Sequence, residues 1–159
     1  MKPPNLSFVR GFKISIVILA LALSQVNILP FVWFWKVSPD LLLVYAVAIG
    51  LNSDGLPGLI ISVLFCGLLK DALGLRLFGF NSALFVLEAT SIYFVSRYLY
   101  REAAGLRFIF LISATLLNYL LLTIIFKRPY IIIGLQEAAI NCLFLPLMLK
   151  VYTFAYARK

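Results

Sequence analysis

Two glutamates inside apolar segments are the side chains of this sequence best suited to acid–base chemistry. Glu88 and Glu137 each stand among aliphatic and aromatic residues, and two carboxyl groups held at one depth could serve as a general acid and a general base. The sequence contains no His, however, and no motif beside either Glu supplies a nucleophile or an oxyanion hole. We therefore expect no catalytic residues and a protein that is not an enzyme.

The cysteine content and the absence of known sequence motifs argue against the common cofactor sites. Cys66 and Cys142 are the only cysteines, and both lie inside apolar runs, where free cysteine usually packs as a small apolar residue. Without His, the usual zinc ligand sets are missing. The sequence has no Walker loop, dinucleotide-binding fingerprint or CxxC motif. We expect neither a metal nor a cofactor.

Polar side chains within the apolar segments are predicted to lie in one layer. At about 1.5 Å of rise per residue, four of them fall roughly 9 to 12 Å below the helix ends expected on the outer side, and Asn141 follows Glu137 on the same helical face. Such groups are costly inside a bilayer. They either hold the helices together through interhelical hydrogen bonds or line a cavity open to the outside for a small ligand, a lipid head group or another protein's helix. The predicted buried polar layer consists of Asn27, Glu88, Asn118, Glu137 and Asn141.

The elements that carry these residues are predicted to be membrane helices. Apolar residues make up 64% of the 159-residue chain and charged residues 13%, against about 45–50% and about 25% in soluble domains. The mean hydropathy is +1.05, so too little polar surface is present to cover a water-soluble globule. The net charge of +8 comes from residues between apolar blocks, which indicates membrane orientation rather than binding to nucleic acid.

Six apolar segments predict an all-α membrane protein, a compact bundle of six transmembrane helices in a single domain over residues 1–159. The second and third segments are shorter than the about 20 residues of a full span, so they form either short helices shielded by their neighbours or a re-entrant hairpin. The first has a basic start and an Ala22-Leu23-Ser24 pattern like that of a cleavable signal, but its spanning length favours an uncleaved helix. The segments cover residues 14–35, 40–51, 56–69, 82–100, 108–126 and 130–149.

The distribution of Lys and Arg predicts which end of the bundle faces the cytoplasm. Six crossings with a cytoplasmic N-terminus place nine of the 14 basic residues inside, whereas a single crossing over residues 40–69 would divide them evenly. Basic residues favour the cytoplasmic side, so we expect both termini of this multi-pass protein in the cytoplasm. Arg97, Arg101 and Arg107 then form a cytoplasmic cluster suited to binding anionic lipids.

Two motifs stand where helices are expected to begin on the outer side. Pro39-Asp40 is typical of a helix N-terminus, because Pro is tolerated there and Asp accepts hydrogen bonds from free amides. Asp40 could also bind Lys36 or a cation of a partner.

The second motif, residues 67–84, is predicted to form a tight outer connector. Its glycines relax the steric limits on the backbone, and Asn81 or Ser82 is placed to cap the following helix. A second interpretation makes this connector a docking surface or lid, with Asp71 and Arg76 as its polar groups. The glycines are Gly67, Gly74 and Gly79.

These residues together resemble the MreD family of rod shape-determining proteins. Outside residues 39–84 only length and hydropathy match, and Lys70 stands where members of the family often have Leu. The resemblance rests on Pro39-Asp40-Leu41-Leu42-Leu43 at the start of a short second helix and on Gly67-Leu68-Leu69-Lys70-Asp71 with Gly74, Gly79, Asn81, Ala83 and Leu84 after it.

The resemblance implies a non-enzymatic scaffold or regulator in the bacterial inner membrane that maintains rod cell shape. Members of the family work with MreC, with the RodA glycosyltransferase and a penicillin-binding transpeptidase, and indirectly with the MreB filament, to direct peptidoglycan synthesis. The partner implied most directly is the spanning helix of MreC. The residues implied in partner binding or in structure are Pro39, Asp40, Asp71, Gly74, Gly79 and Asn81.

The same family is similar in fold to the substrate-binding S-components of energy-coupling-factor vitamin transporters. Those are six-helix proteins with an outward-facing pocket. Solute binding is therefore the alternative function, and the polar layer would then line the pocket.

Overall fold

The computed structural model describes residues 6–27, 37–74, 78–99, 104–127 and 129–156, and these residues form six α-helices. The all-α prediction is confirmed for this part of the chain. The helices are α1 (Leu6–Asn27), α2 (Leu41–Asn52), α3 (Leu56–Gly74), α4 (Phe80–Tyr98), α5 (Ala104–Phe126) and α6 (Ile131–Tyr156).

Three of the helices are long and apolar enough to cross a membrane. They are α3, the Gly105–Phe126 part of α5 and the Ile131–Ala155 part of α6. Large aliphatic and aromatic side chains such as Ile124 and Leu143 remain uncovered on the outside of the bundle, where a bilayer accepts them. These features make the chain a membrane protein.

The shortest helix, α2, lies at the centre of the bundle. All of its residues from Leu41 to Leu51 are buried, and each of the other five helices packs against it. A helix that is apolar on every side is either buried among other elements or faces lipid. Its neighbours cover α2 on every side. It therefore corresponds to the first of the two predicted alternatives, a short helix shielded by its neighbours.

The third helix is longer than predicted. The apolar pattern indicated an end at residue 69, but α3 continues through Lys70 and Asp71 to Gly74. Both charged side chains find partners inside the bundle, so they do not force the helix to end. At 19 residues α3 is a candidate span rather than half of a short hairpin.

Several helix ends also differ from the predicted segments. The helix expected over residues 14–35 begins at Leu6 and is described as far as Asn27, while residues 28–36 lie outside the described part. At the other terminus α6 runs through Pro146 and Lys150 to Tyr156. Hydropathy locates the apolar part of a helix, whereas backbone hydrogen bonds continue through polar turns beyond it.

Gly67 brings α3 and α4 into direct backbone contact. A Cβ atom at this position would lie 2.3 Å from the Cα atom of Ser82 and 2.7 Å from its amide nitrogen. Only a residue without a side chain allows this approach. The contact fixes the start of α4 beside the last turns of α3, which is where the motif residues meet.

Polar contacts identify the two ends of the bundle. The Tyr152 hydroxyl donates to the Asn52 carbonyl at 2.9 Å, and the Arg97 guanidinium donates to the Asp54 carbonyl at 3.4 Å. These contacts place the ends of α2, α4 and α6 together with the start of α3. We call the opposite end, where α3 ends and α4 begins, the cavity end.

Candidate functional site

Asp40 organises the polar groups at the start of α2. Its carboxylate accepts from the amide of Leu43 at 3.2 Å and from the Gln25 side chain at 3.2 Å, and its own amide donates to the Asn141 side chain at 2.9 Å. Pro39 before it is buried. The motif thus caps α2 as predicted and also ties α1, α2 and α6 together.

The cation that pairs with Asp40 is Lys70. Its ammonium group forms an ion pair with the Asp40 carboxylate and lies 4.8 Å from the centre of the Phe85 ring, a cation–π geometry. Lys36, the cation considered from the sequence, lies outside the described residues. Lys70 lies in α3, one turn before its end at Gly74, so the ion pair connects two helices, whereas the predicted contact with Lys36 lay within one connector.

Asp71 caps α4, although it belongs to the preceding helix. Its carboxylate accepts from the amides of Gly79, Asn81 and Ser82 at 2.9 to 3.2 Å, and from the side chains of Asn81 and Ser82 at 2.8 Å each. The prediction that Asn81 or Ser82 caps this helix is wrong. Both side chains instead bind the carboxylate that does so.

The connector itself is shorter than predicted, because residues 67–74 are helical. Gly79 supplies the turn with a φ of +91°, a left-handed conformation that favours glycine, whereas Gly74 is part of the last turn of α3. Asp71 is only 2% exposed. It therefore shapes the connector from inside and offers no carboxylate to a partner, while Arg76 lies outside the described residues.

Residues of the predicted polar layer form hydrogen bonds between helices. Glu88 on α4 accepts from the Asn118 side chain on α5 at 3.3 Å. Glu137 on α6 accepts from the Tyr119 hydroxyl on α5. Asn141, which binds Asp40, also donates to the Thr115 hydroxyl at 3.4 Å.

Asn27 does not belong to this layer. It is the last residue of α1 that the structure describes, and it is exposed, whereas a buried position was predicted. Gln25, two residues before it, takes the position instead and binds Asp40 and the amide of Leu42.

These polar groups surround an open cavity of about 310 Å³ at the cavity end. Residues from all six helices line the cavity, and its lining carries one cation, Lys70, with the carboxylates of Asp40 and Glu137. Each of the two interpretations of the polar layer therefore applies to part of it: Asn118 and Glu137 line the cavity, whereas Glu88 and Asn141 bond to neighbouring helices without lining it. The other polar lining residues are Gln25, Ser38, Asn81, Asn118 and Tyr119.

The predicted arginine cluster lies at the end opposite the cavity. The Arg97 guanidinium stacks over the Tyr93 ring at 4.2 Å from its centre, and Arg107 is half-buried on the first turns of α5. Arg101 lies outside the described residues. Contact of this cluster with anionic lipids stays a prediction.

Three contributors to the site were missed or given no role by the sequence analysis. Lys70 was noted only as a departure from the family pattern, and Tyr119 and Thr115 were not considered. A signal existed for Lys70, because a lysine directly after an apolar segment needs a counter-ion or water. Neither Tyr119 nor Thr115 had such a signal, since a hydroxyl is common in membrane helices.

The fold and the site together define an all-α membrane protein with a polar cavity at one end. Among the described residues, no group of three or more His, Cys, Asp and Glu side chains is placed to hold a metal ion. No family model, curated protein or solved structure matches the chain.

Proposed function

We propose that this protein is a non-enzymatic scaffold of the bacterial elongation machinery, similar to MreD. It lies in the inner membrane with both termini in the cytoplasm and binds the spanning helix of MreC. In this way it couples peptidoglycan synthesis by RodA and its transpeptidase partner to the MreB filament, and so maintains rod shape.

One observation carries this proposal: both aspartates of the family-like motifs are buried centres of interhelical bonding. Asp40 joins α1, α2, α3 and α6, and Asp71 joins α3 to α4. A family motif made of buried acids with such roles serves architecture, as a scaffold requires. The bonding of Glu88 and Glu137 to Asn118 and Tyr119 likewise agrees with a structural role.

The test is pull-down of the tagged full chain from mild detergent, with identification of the proteins that accompany it. We expect MreC, RodA and the transpeptidase. A matched pair of variants refines the result: Asp40→Asn removes the charge that holds Lys70, whereas Asp54→Asn changes an exposed loop residue. Loss of MreC and of rod morphology with the first variant only is the expected outcome. Unchanged recovery and morphology with both variants would refute the role given to Asp40.

The cavity favours one alternative, a substrate-binding S-component of a vitamin transporter. Its volume of about 310 Å³ is at the lower limit for small-molecule sites, which span about 300–1,000 Å³. This function requires saturable binding of a small vitamin-like molecule and co-purification with a pair of cytoplasmic ATPases. The same pull-down therefore separates the two functions.

A further inference from the structure

A second concave surface lies on the side of the bundle, between α4 and α5. The two helices follow each other in the chain, but α4 packs chiefly on α2 and α3, and α5 packs chiefly on α6. The seam between them is left as a groove of about 260 Å³. We call it the α4–α5 groove.

The groove has the length and the small side chains that helix packing needs. It extends from Leu87 to Val95 along α4, which is about 12 Å or two helical turns at 1.5 Å per residue. Ser91 on one wall and Ser113 and Ala114 on the other line its middle. Small residues at such a position allow the backbone of another membrane helix to approach closely.

Glu88 at one end of the groove has a carboxyl oxygen that lacks a partner. The side chain is 5% exposed, and only Oε1 is bonded, to Asn118. Oε2 is buried without a hydrogen-bond partner among the described residues. In a hydrocarbon environment an unpaired polar atom costs several kcal/mol, so the groove favours an occupant that brings a hydrogen-bonding group.

This requirement distinguishes the possible occupants. A lipid acyl chain fills a groove but offers no hydrogen bond to a carboxyl group. A helix with an Asn or Gln side chain offers both a donor and an acceptor, and it satisfies Glu88 whether or not that group carries a proton.

We infer that the α4–α5 groove binds one spanning helix of another polypeptide, with small residues against Ser91, Ser113 and Ala114 and an amide side chain bonded to Glu88. The inference rests on the proposed function as a scaffold for a helical partner, and it names the surface and the recognition group. A lipid chain or a second copy of this chain in the groove would contradict it.

The test uses the full chain in phosphatidylcholine vesicles and two synthetic helices. Both probes are lysine-flanked polyleucine peptides of spanning length with two glycines four residues apart; one has a central Asn and the other has Leu there. Energy transfer between labelled protein and labelled peptide gives the affinity. We expect the Asn peptide to bind about three- to tenfold more tightly, the range expected for one interhelical hydrogen bond in a membrane.

Three variants locate the binding. Glu88→Leu should abolish the difference between the peptides, and Glu88→Gln should retain it, which separates recognition from folding. Ser113→Phe, at an exposed position on the groove wall, should weaken both peptides. Leu143→Ala changes an exposed residue of α6 that does not line the groove and should leave both affinities unchanged.

Equal affinity of the unmodified chain for the two peptides would overturn the inference, as would a preference that survives both Glu88→Leu and Ser113→Phe. The inference would also be overturned if spin-labelled acyl chains are immobilised on the protein and the peptides do not displace them, or if the protein associates with itself and thereby excludes the peptides. The peptides contain no part of a wall-synthesis protein. If the peptides fail to bind as expected but MreC is still recovered in the pull-down, only the inference about the groove is rejected. If the peptides bind but MreC is not recovered, only the proposed function is rejected.

Discussion

Asp40 and Asp71 have the same role: each accepts a hydrogen bond from an unpaired amide at the start of a helix inside a membrane protein. Each new helix exposes amide groups that lack acceptors within the helix, and a carboxylate at that point also interacts favourably with the helix dipole. Asp40 caps its own helix, whereas Asp71 reaches from the end of one helix to the start of the next. The second arrangement joins two elements with one side chain.

The first prediction concerns Asp71. Asp71→Ala removes the acceptor from three amides and two side chains, and we expect it to lower the free energy of unfolding by about 2–4 kcal/mol. Reversible unfolding in mixed detergent micelles, followed by circular dichroism, measures the change. Asp54→Ala, at an exposed loop position, should alter stability by less than about 0.5 kcal/mol. Equal stability of the two variants would show that the Asp71 contacts contribute nothing.

At the scale of the elements, the sequence was informative about the existence of helices and poor at locating their ends. The apolar blocks indicated six helices, because the existence of a membrane helix can be predicted from apolar composition alone. The partner of Asp40 was not predictable in the same way, since Lys70 approaches it only after α3 packs beside α2.

The second prediction concerns the contact between α3 and α4. Gly67→Ala places a Cβ atom 2.3 Å from the Ser82 backbone, so the helices must separate, at a cost we expect to be about 1–3 kcal/mol or more. Gly74→Ala is the matched control on the same helix, because a Cβ atom there meets nothing within 4 Å. It should be neutral or stabilise by up to about 1 kcal/mol.

Thermal unfolding of the two glycine variants in the same detergent checks this prediction. A similar midpoint for Gly67→Ala and the unmodified protein would mean that the helices do not approach closely at this point. Loss of stability in Gly74→Ala alone would reverse the assignment of the two glycines.

On the scale of the whole molecule, the two ends of the bundle differ in chemistry. The cavity end holds the acids, amides and Lys70 that bond across helices, while the opposite end carries Arg97 and Arg107 near the ends of their helices. Basic residues collect on the cytoplasmic side of membrane proteins. The proposed orientation, with the cavity end outside, follows from this asymmetry.

The last prediction tests that orientation by cysteine labelling. In a background with Cys66→Ala and Cys142→Ala, single cysteines are introduced at the exposed positions Asp54, Phe78 and Lys127. A membrane-impermeant maleimide on intact spheroplasts should label Phe78→Cys and Lys127→Cys, and Asp54→Cys only after permeabilisation, because α3 connects position 54 to position 78 across the bilayer. Labelling of Asp54→Cys and Phe78→Cys from the same side would mean that α3 does not cross. The reverse pattern would place the cavity in the cytoplasm, and the arginine cluster would then face away from the leaflet whose anionic lipids it is proposed to bind.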